Sequence, residues 1–212
     1  NKCMVKEALA NGLNVIEGDA IEVLKTFPDN SFDLISGFHI IEHLTYELII
    51  TLLSECKRLL TDTGIVLLET PSIDNLSISS RLFYLDPTHI NPINPDSMVF
   101  HIQQLGFHKA KYFLINGGPL QLSSEHTLTR VLNGISQDVC FIATNSEKCT
   151  NHLFERSCKW QLEINESIST LDAAHEHDNH IRQLETKITS LEEAIFILRT
   201  KLISYEKSNI NF

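Results

Sequence analysis

The chain has 212 residues, a hydrophobic content of 42% and a formal net charge of −10. This length allows one domain with an appendage, and the apolar content is enough for a packed core, which excludes wholesale disorder. The acidic balance argues against nucleic acid as a partner, because phosphate binding needs a basic surface. No apolar run reaches transmembrane length, so we expect no transmembrane segment.

The cysteines and the first residue indicate the setting of the protein. Five cysteines are scattered without C-x-x-C spacing, which predicts neither a zinc knuckle nor a disulfide framework. A reducing, cytoplasmic location follows, either free or held by partners at the inner face of the membrane. The sequence opens with Asn1 rather than methionine. We interpret it as a fragment whose natural start lies upstream.

The first half of the chain alternates apolar runs with helical patterns. Strands are predicted at Leu13–Glu17, in FDLISG and at Ile65–Glu69, and helical stretches separate them. Apolar strands separated by helices are typical of a parallel sheet covered on both faces. We therefore expect an α/β fold with a partial, Rossmann-like, doubly wound and mostly parallel sheet.

The region after the third strand differs from the first half. A loop with three prolines, FYLDPTHINPINP (Phe83–Pro95), precedes a short helix that starts at Pro95 or Asp96 and ends at Gly106. KAKYFLI and VCFIAT are predicted to be two further strands, an antiparallel pair at the sheet edge. The core domain is expected to span residues 1–145, followed by a polar, partly helical linker over 146–180.

Residues 181–207 show a heptad pattern. Apolar side chains recur at alternating steps of three and four: Ile181, Leu184, Ile188, Leu191, Ile195, Leu198, Leu202 and Tyr205. This pattern favours a parallel two-stranded coiled coil, in which Lys187 would face Glu192 of a partner chain. A homodimer or a pairing with another protein is expected. An amphipathic helix packed on its own domain is the alternative.

Chemistry-bearing residues follow each predicted strand, where doubly wound sheets bind ligands. Asp19 follows the first strand, Gly37, Phe38 and His39 follow the second, and Thr70 begins the segment after the third. The stretch GDAIEVLKTFPDNSFDLISGFHIIEHL resembles the middle of class I S-adenosylmethionine-dependent methyltransferases. The resemblance spans roughly residues 1–145.

The resemblance implies S-adenosyl-L-methionine (SAM) as cofactor. It implies that Asp19 accepts a hydrogen bond from the adenine amino group, that Ala20 contacts the cofactor through its backbone, and that Gly37, Phe38 and His39 pass its methionine end. Asp19 could instead only cap the next helix. The family's Gly-x-Gly loop is missing from the sequence, so we expect the chain as given to bind SAM weakly and to be inactive by itself.

The proline loop resembles the loop of methyltransferases associated with O-antigen and cell-surface glycan assembly, which often carry a coiled coil. Where that group commonly has an arginine, this chain has Asn91. The resemblance implies an acceptor-side lid, on which Tyr84, Thr88 and Asn91 would contact the acceptor. A hydroxyl acceptor needs a general base, and the candidates are His89, Asp86 and His43.

The expected function is methyl transfer from SAM to a hydroxyl or phosphate of a sugar or glycan-linked acceptor. One alternative is a non-catalytic scaffold whose coiled coil docks a glycan-assembly partner. A second alternative is a methyltransferase for a small, quinone-type molecule. The histidine-rich stretch HEHDNH lacks the fixed spacing of a zinc site, and we expect no metal site.

Overall fold

A computed structural model describes residues 2–117, 135–147 and 170–209. Four strands form one sheet in the order β1-β2-β4-β3. In chain order they are β1 (Phe32–Phe38), β2 (Leu60–Pro71), β3 (Lys109–Ile115) and β4 (Asp138–Thr144). β1 and β2 are parallel, whereas β4 runs antiparallel to both β2 and β3. The sheet is therefore mixed, and the antiparallel pairing of the last two strands is confirmed.

The described residues contain five α-helices: α1 (Lys2–Ala10), α2 (Ala20–Leu24), α3 (Tyr46–Leu59), α4 (Pro95–Gln104) and α5 (Thr170–Asn209). α4 starts at Pro95 and is followed by Gly106 with a φ of 85°, as the sequence predicted, and Asn94 is its N-cap. Among the described residues no helix is long and apolar enough to cross a membrane.

The strand predicted at Leu13–Glu17 does not form. This segment pairs with no described strand, and β1 is the edge of the sheet on that side. An extended apolar run becomes a strand only when a neighbouring backbone satisfies its N–H and C=O groups, and no such neighbour lies beside it here. Leu13 and Ile16 are accordingly exposed.

α3 leads directly into β2 and forms one wall of the core. Thr45 caps the helix by accepting a hydrogen bond from the Leu48 N–H, and the buried positions follow helical spacing: Ile49, Leu52, Leu53, Cys56 and Leu59. All of these side chains except Leu59 belong to a single core that includes Val66, Ile102 and Phe141. Burial raises the pKa of the Cys56 thiol to about 12.

β2 starts at Leu60, earlier than its predicted start at Ile65. The pairing with β1 shifts register between Phe32 and Leu34, because residues 61–64 bulge out of the ladder. Gly64 is needed in this bulge, since a Cβ atom there would lie 2.9 Å from Cδ2 of Leu60. After the bulge, the parallel register carries Phe38 opposite Glu69.

α5 is a continuous helix that contains the whole heptad pattern and begins upstream of it, at Thr170. All eight side chains of the pattern are exposed in the single chain, from 40% for Ile181 to 66% for Tyr205. A helix with such a stripe of exposed apolar side chains is stabilised by packing the stripe against another surface.

Candidate functional site

The ends of β1 and β2 form the floor of the site. β1 ends at Phe38, and His39 follows it in the left-handed region with a φ of 52°. The His39 N–H donates a hydrogen bond to the Glu69 carbonyl at 2.9 Å, which holds the turn against β2. A non-glycine residue in this conformation carries strain that the surrounding structure must offset, and such residues concentrate at functional sites.

Glu42 is the buried centre of this region. It lies in a 3₁₀ turn (Ile41–His43) between β1 and α3, and its side chain is completely buried. Oε2 accepts a hydrogen bond from the Thr70 hydroxyl at 2.9 Å, and Oε1 lies 3.2 Å from Nδ1 of His39. These hydrogen bonds offset the cost of removing a carboxyl group from water. Glu42 thus links the turn after β1 to the end of β2.

The proline loop packs on this turn through its backbone. The N–H groups of Ile90 and Asn91 both donate to the Glu42 carbonyl oxygen at 3.0 Å. The Asn91 side chain donates to the Leu44 carbonyl at 3.4 Å, so it ties the loop to the scaffold. Tyr84 stands at the surface of the same loop with 62% of its area exposed.

The three candidate catalytic residues and Thr88 lie together. The Thr88 hydroxyl donates to Asp86 at 2.6 Å and lies 2.9 Å from Nδ1 of His43. The His43 and His89 rings are in contact at a centroid distance of 4.7 Å and are tilted by 58°, and Nε2 of His89 lies 3.9 Å from Asp86. The hydrogen bonds from the Thr88 side chain and backbone lower the pKa of Asp86.

A cavity of about 260 Å³ lies on the other side of the turn after β1. Asp19 and Ala20 form one wall, and apolar side chains of the turn and of α3 form the other: Ile40, Leu44, Leu48 and Leu52. Oδ1 of Asp19 accepts hydrogen bonds from the N–H groups of Ile21 and Glu22, so Asp19 is the N-cap of α2. Among the described residues, no hydrogen bond engages its Oδ2.

This cavity has the chemistry that an adenine ring needs. Its walls are mainly apolar, and one carboxylate oxygen of Asp19 remains to accept a hydrogen bond from an exocyclic amino group. Gly37 is buried at the end of β1, where a Cβ atom would lie 3.0 Å from Cδ2 of Leu68. Phe38, by contrast, is 55% exposed. The residues present at the cavity therefore fit the adenine end of SAM.

Sequence reasoning missed three residues of the site: Glu42, Glu69 and Asp138. Glu42 belongs to the end of the stretch that carries the family resemblance, and in the structure α3 begins only at Tyr46. Glu69 ends the third predicted strand, which we described only by its apolar residues, and Thr70 was noted only for its place after that strand. Asp138 begins β4, whose neighbours cannot be identified from the sequence. Glu42 could have been identified from the sequence as a charged residue placed among apolar neighbours.

Comparisons with known proteins agree with this geometry. Residues 2–68 match the family model described as a methyltransferase domain. A SAM-dependent methyltransferase from Archaeoglobus fulgidus is 30% identical with a TM-score of 0.59, and the alignment covers 68% of this chain and 72% of that one. A possible histamine N-methyltransferase from Thermotoga maritima is 16% identical with a TM-score of 0.49, covering 67% and 69%.

Comparison with curated protein sequences gives no significant match. The Archaeoglobus protein is nevertheless similar to this chain in sequence and in fold over most of its length. SAM is therefore the cofactor, and it supplies a methyl group already activated by a sulfonium. The chain belongs to the class I SAM-dependent methyltransferases.

Proposed function

We propose that this methyltransferase acts on a hydroxyl group of a sugar or glycan-linked acceptor, with His89 as the general base. The observation that carries the proposal is the hydrogen bond between Nδ1 of His89 and the Phe83 carbonyl, at 2.7 Å. A carbonyl oxygen can only accept, so Nδ1 carries the proton and Nε2 keeps its lone pair. Nε2 can then take a proton from a hydroxyl, a step that a phosphate acceptor would not need.

The neighbouring side chains hold this base in position. Nδ1 of His43 lies 3.2 Å from the Thr88 carbonyl, so it donates there and to the Thr88 hydroxyl. The hydroxyl proton goes to Asp86 in turn. Asp86, 3.9 Å from Nε2 of His89, can stabilise the imidazolium that forms when His89 accepts a proton. His43 and Asp86 are positioning residues in this scheme.

The rest of the reaction requires alignment. Methyl transfer is an in-line displacement, so the acceptor oxygen must be held opposite the sulfur that leaves. The acceptor oxygen forms a bond to the methyl carbon as the carbon–sulfur bond breaks, and the hydroxyl proton passes to Nε2 of His89. The proline loop, fixed to the Glu42 carbonyl by two backbone hydrogen bonds, is rigid enough to present the acceptor at a defined distance.

The surface of the loop supports a sugar as acceptor. Tyr84 is 62% exposed and can pack its ring on the C–H face of a sugar, while Asp86 and Thr88 offer hydrogen-bonding groups beside it. The glycan-linked context rests on the similarity of this loop to that of O-antigen-associated methyltransferases and on the heptad pattern of α5. We infer that α5 pairs with a second copy of the chain through this pattern.

A second candidate acceptor is a small quinone-type phenol. Leu82, Leu85 and Ile90 flank the same loop and are 43%, 68% and 56% exposed. Exposed apolar side chains beside a base would also suit an apolar aromatic hydroxyl. This candidate keeps the general base and changes only the acceptor.

His89→Asn tests the proposal because its side-chain amide can still donate to the Phe83 carbonyl but cannot accept the proton. Transfer of labelled methyl groups from SAM is measured with methyl glycosides and with catechol, in the chain joined to a Gly-x-Gly cofactor loop of the family. We expect transfer to a glycoside to fall about 10²–10⁴-fold in His89→Asn. His101→Asn, in a histidine that contacts Tyr46 elsewhere, is the control. Unchanged transfer in His89→Asn overturns the role of His89, and transfer to catechol alone overturns the sugar acceptor.

A further inference from the structure

Three side chains at the carboxyl end of β1 and β2 form a group with metal-ligand geometry. One ligand atom from each of His39, Glu69 and Asp138 lies within 4.8 Å of the others, and Nε2 of His39 is 3.6 Å from Oε1 of Glu69. An imidazole nitrogen and two carboxylates at this separation can bind a common ion. We propose that His39, Glu69 and Asp138 bind one divalent cation.

The sheet topology places these three residues side by side at one end of the strands. His39 follows β1, Glu69 is close to the end of β2, and Asp138 is the first residue of β4. The antiparallel register pairs Pro71 with Asp138, which places the start of β4 beside the end of β2. The ligands therefore come from three neighbouring strands of a rigid sheet, which is the kind of scaffold that holds metal-site geometry.

Glu42 orients the imidazole of His39. Nδ1 of His39 lies 3.2 Å from the buried Glu42 carboxyl group and can donate a proton to it, whereas Nε2 faces Glu69 at 3.6 Å and would offer its lone pair to a bound cation. The left-handed backbone of His39 is what brings its side chain between Glu42 and Glu69. Histidines that bind metal ions nearly always donate their other ring N–H to such a partner.

The charges of the site are complementary to a cation. Glu69 and Asp138 place carboxylate oxygens within 4.8 Å of each other, and like charges at this distance repel. Among the residues that the structure describes, no lysine or arginine forms an ion pair with either carboxylate, and the Asn116 amide donates to Asp138 at 2.8 Å. A divalent cation would offset this repulsion.

The ligand set selects a class of metal. One nitrogen and two carboxylates suit Mn²⁺, Fe²⁺ or Zn²⁺ better than Ca²⁺, which prefers oxygen ligands alone. His39 is 49% exposed at its side chain, so coordination positions stay open on the solvent side. A role for the cation in holding the acceptor oxygen rests on the proposed function, whereas cation binding itself does not.

A second group of three, Glu42, His43 and His89, is also close enough to share an ion. Glu42 already accepts hydrogen bonds from Thr70 and His39 and is completely buried. Reaching an ion there would require those bonds to break. The proposal therefore rests on the first group, His39, Glu69 and Asp138.

Mn²⁺ binding to the full chain tests the proposal without cofactor or acceptor. Binding is followed by the loss of the free Mn²⁺ signal in electron paramagnetic resonance. Glu69→Gln and Asp138→Asn each remove one ligand charge at nearly constant shape. Glu47→Gln is the matched control, because it removes the same charge from an exposed position on α3. Circular dichroism verifies that each variant is folded.

We expect one Mn²⁺ per chain, with affinity at least tenfold lower in Glu69→Gln and in Asp138→Asn and unchanged in Glu47→Gln. Absence of Mn²⁺ binding in the millimolar range overturns the proposal. Equal binding by the wild type and Glu69→Gln also overturns it, because the ion would then lie elsewhere, for example on the histidine-rich start of α5. Neither result bears on whether His89 acts as a base.

Discussion

The Thr70 hydroxyl donates a hydrogen bond to Oε2 of Glu42 at 2.9 Å, and both side chains are completely buried. This bond joins the end of β2 to the 3₁₀ turn on which the proline loop rests. The loop and the turn after β1 therefore share one buried anchor. Weakening this anchor is expected to affect stability and the site together.

The first prediction concerns this anchor. Thr70→Val keeps the shape of the side chain but leaves Oε2 of Glu42 buried without its donor, so the free energy of unfolding should fall by about 1–3 kcal/mol. Urea denaturation measures it. Thr61→Val is the control, because the Thr61 hydroxyl bonds Asp33 at an exposed position and its loss should cost less than about 0.5 kcal/mol. If Thr70→Val and Thr61→Val lowered the free energy of unfolding equally, the claim that the Thr70–Glu42 hydrogen bond is an anchor would be wrong.

The second prediction separates two roles of Asp19. Serine also caps helices, so Asp19→Ser should change stability by less than about 0.5 kcal/mol. Serine lacks the second carboxylate oxygen, so the Kd for S-adenosylhomocysteine should rise at least tenfold, which is about 1.4 kcal/mol. Calorimetric titration and urea denaturation give the two quantities. Asp19→Ala should lose both the stability contributed by the cap of α2 and the affinity for S-adenosylhomocysteine. An Asp19→Ser variant that binds as tightly as the wild type would show that Asp19 only caps α2.

The third prediction is a pH effect in the proline loop. The pKa of Asp86 is lowered from 3.8, first by the Thr88 hydroxyl and then by the Thr88 N–H. When folding lowers the pKa of a carboxyl group, the stabilisation that it contributes is complete at pH values above the pKa in the unfolded chain. This stabilisation is lost as the pH falls through the pKa in the folded chain. The Asp86–Thr88 contacts should therefore weaken only below about pH 3.8, whereas Thr88→Val should raise the Asp86 pKa toward that value.

Carboxyl carbon shifts in an NMR titration give the Asp86 pKa directly. Thr61→Val serves again as the control, since it removes a hydroxyl that contacts a different aspartate. An Asp86 pKa that stays equally low in Thr88→Val would contradict the leading role of the Thr88 hydroxyl and leave the shift to the backbone N–H, which valine keeps, and to the histidines.

The sequence predicted those parts of the fold that depend on local patterns. The start and end of α4 and the antiparallel pair β3–β4 follow from proline, glycine and apolar runs. The strand at 13–17 failed because a strand depends on a neighbour that local sequence does not specify. His43, Asp86 and His89 lie close together because they belong to two short segments beside one turn, and their catalytic role stays a prediction.

The rest of the site depends on register between distant segments. Glu69 and Asp138 come together only because β2 and β4 pair with Pro71 opposite Asp138. A shift by one residue would move Asp138 to the other face of the sheet. No spacing in the sequence fixes that register, so this pair of carboxylates could not be identified before the structure.

The last prediction concerns the exposed heptad pattern of α5. Leu191 occupies a central d position and is 55% exposed in the single chain. Burying such a side chain between two helices contributes about 1.5–3 kcal/mol, so eight positions can hold two chains together. Leu191→Asp places a charge in this seam and should convert a dimer to a monomer, with the mass measured by sedimentation equilibrium.

Thr186→Asp provides the matched control. Thr186 lies at an f position on the outer side of the same helix, where its hydroxyl donates only to the Arg182 carbonyl. The charge introduced there should leave the dimer intact. A wild-type chain that sediments as a monomer would contradict pairing and favour packing of α5 on its own domain. A dimer that survives Leu191→Asp would show that the chains associate through another surface.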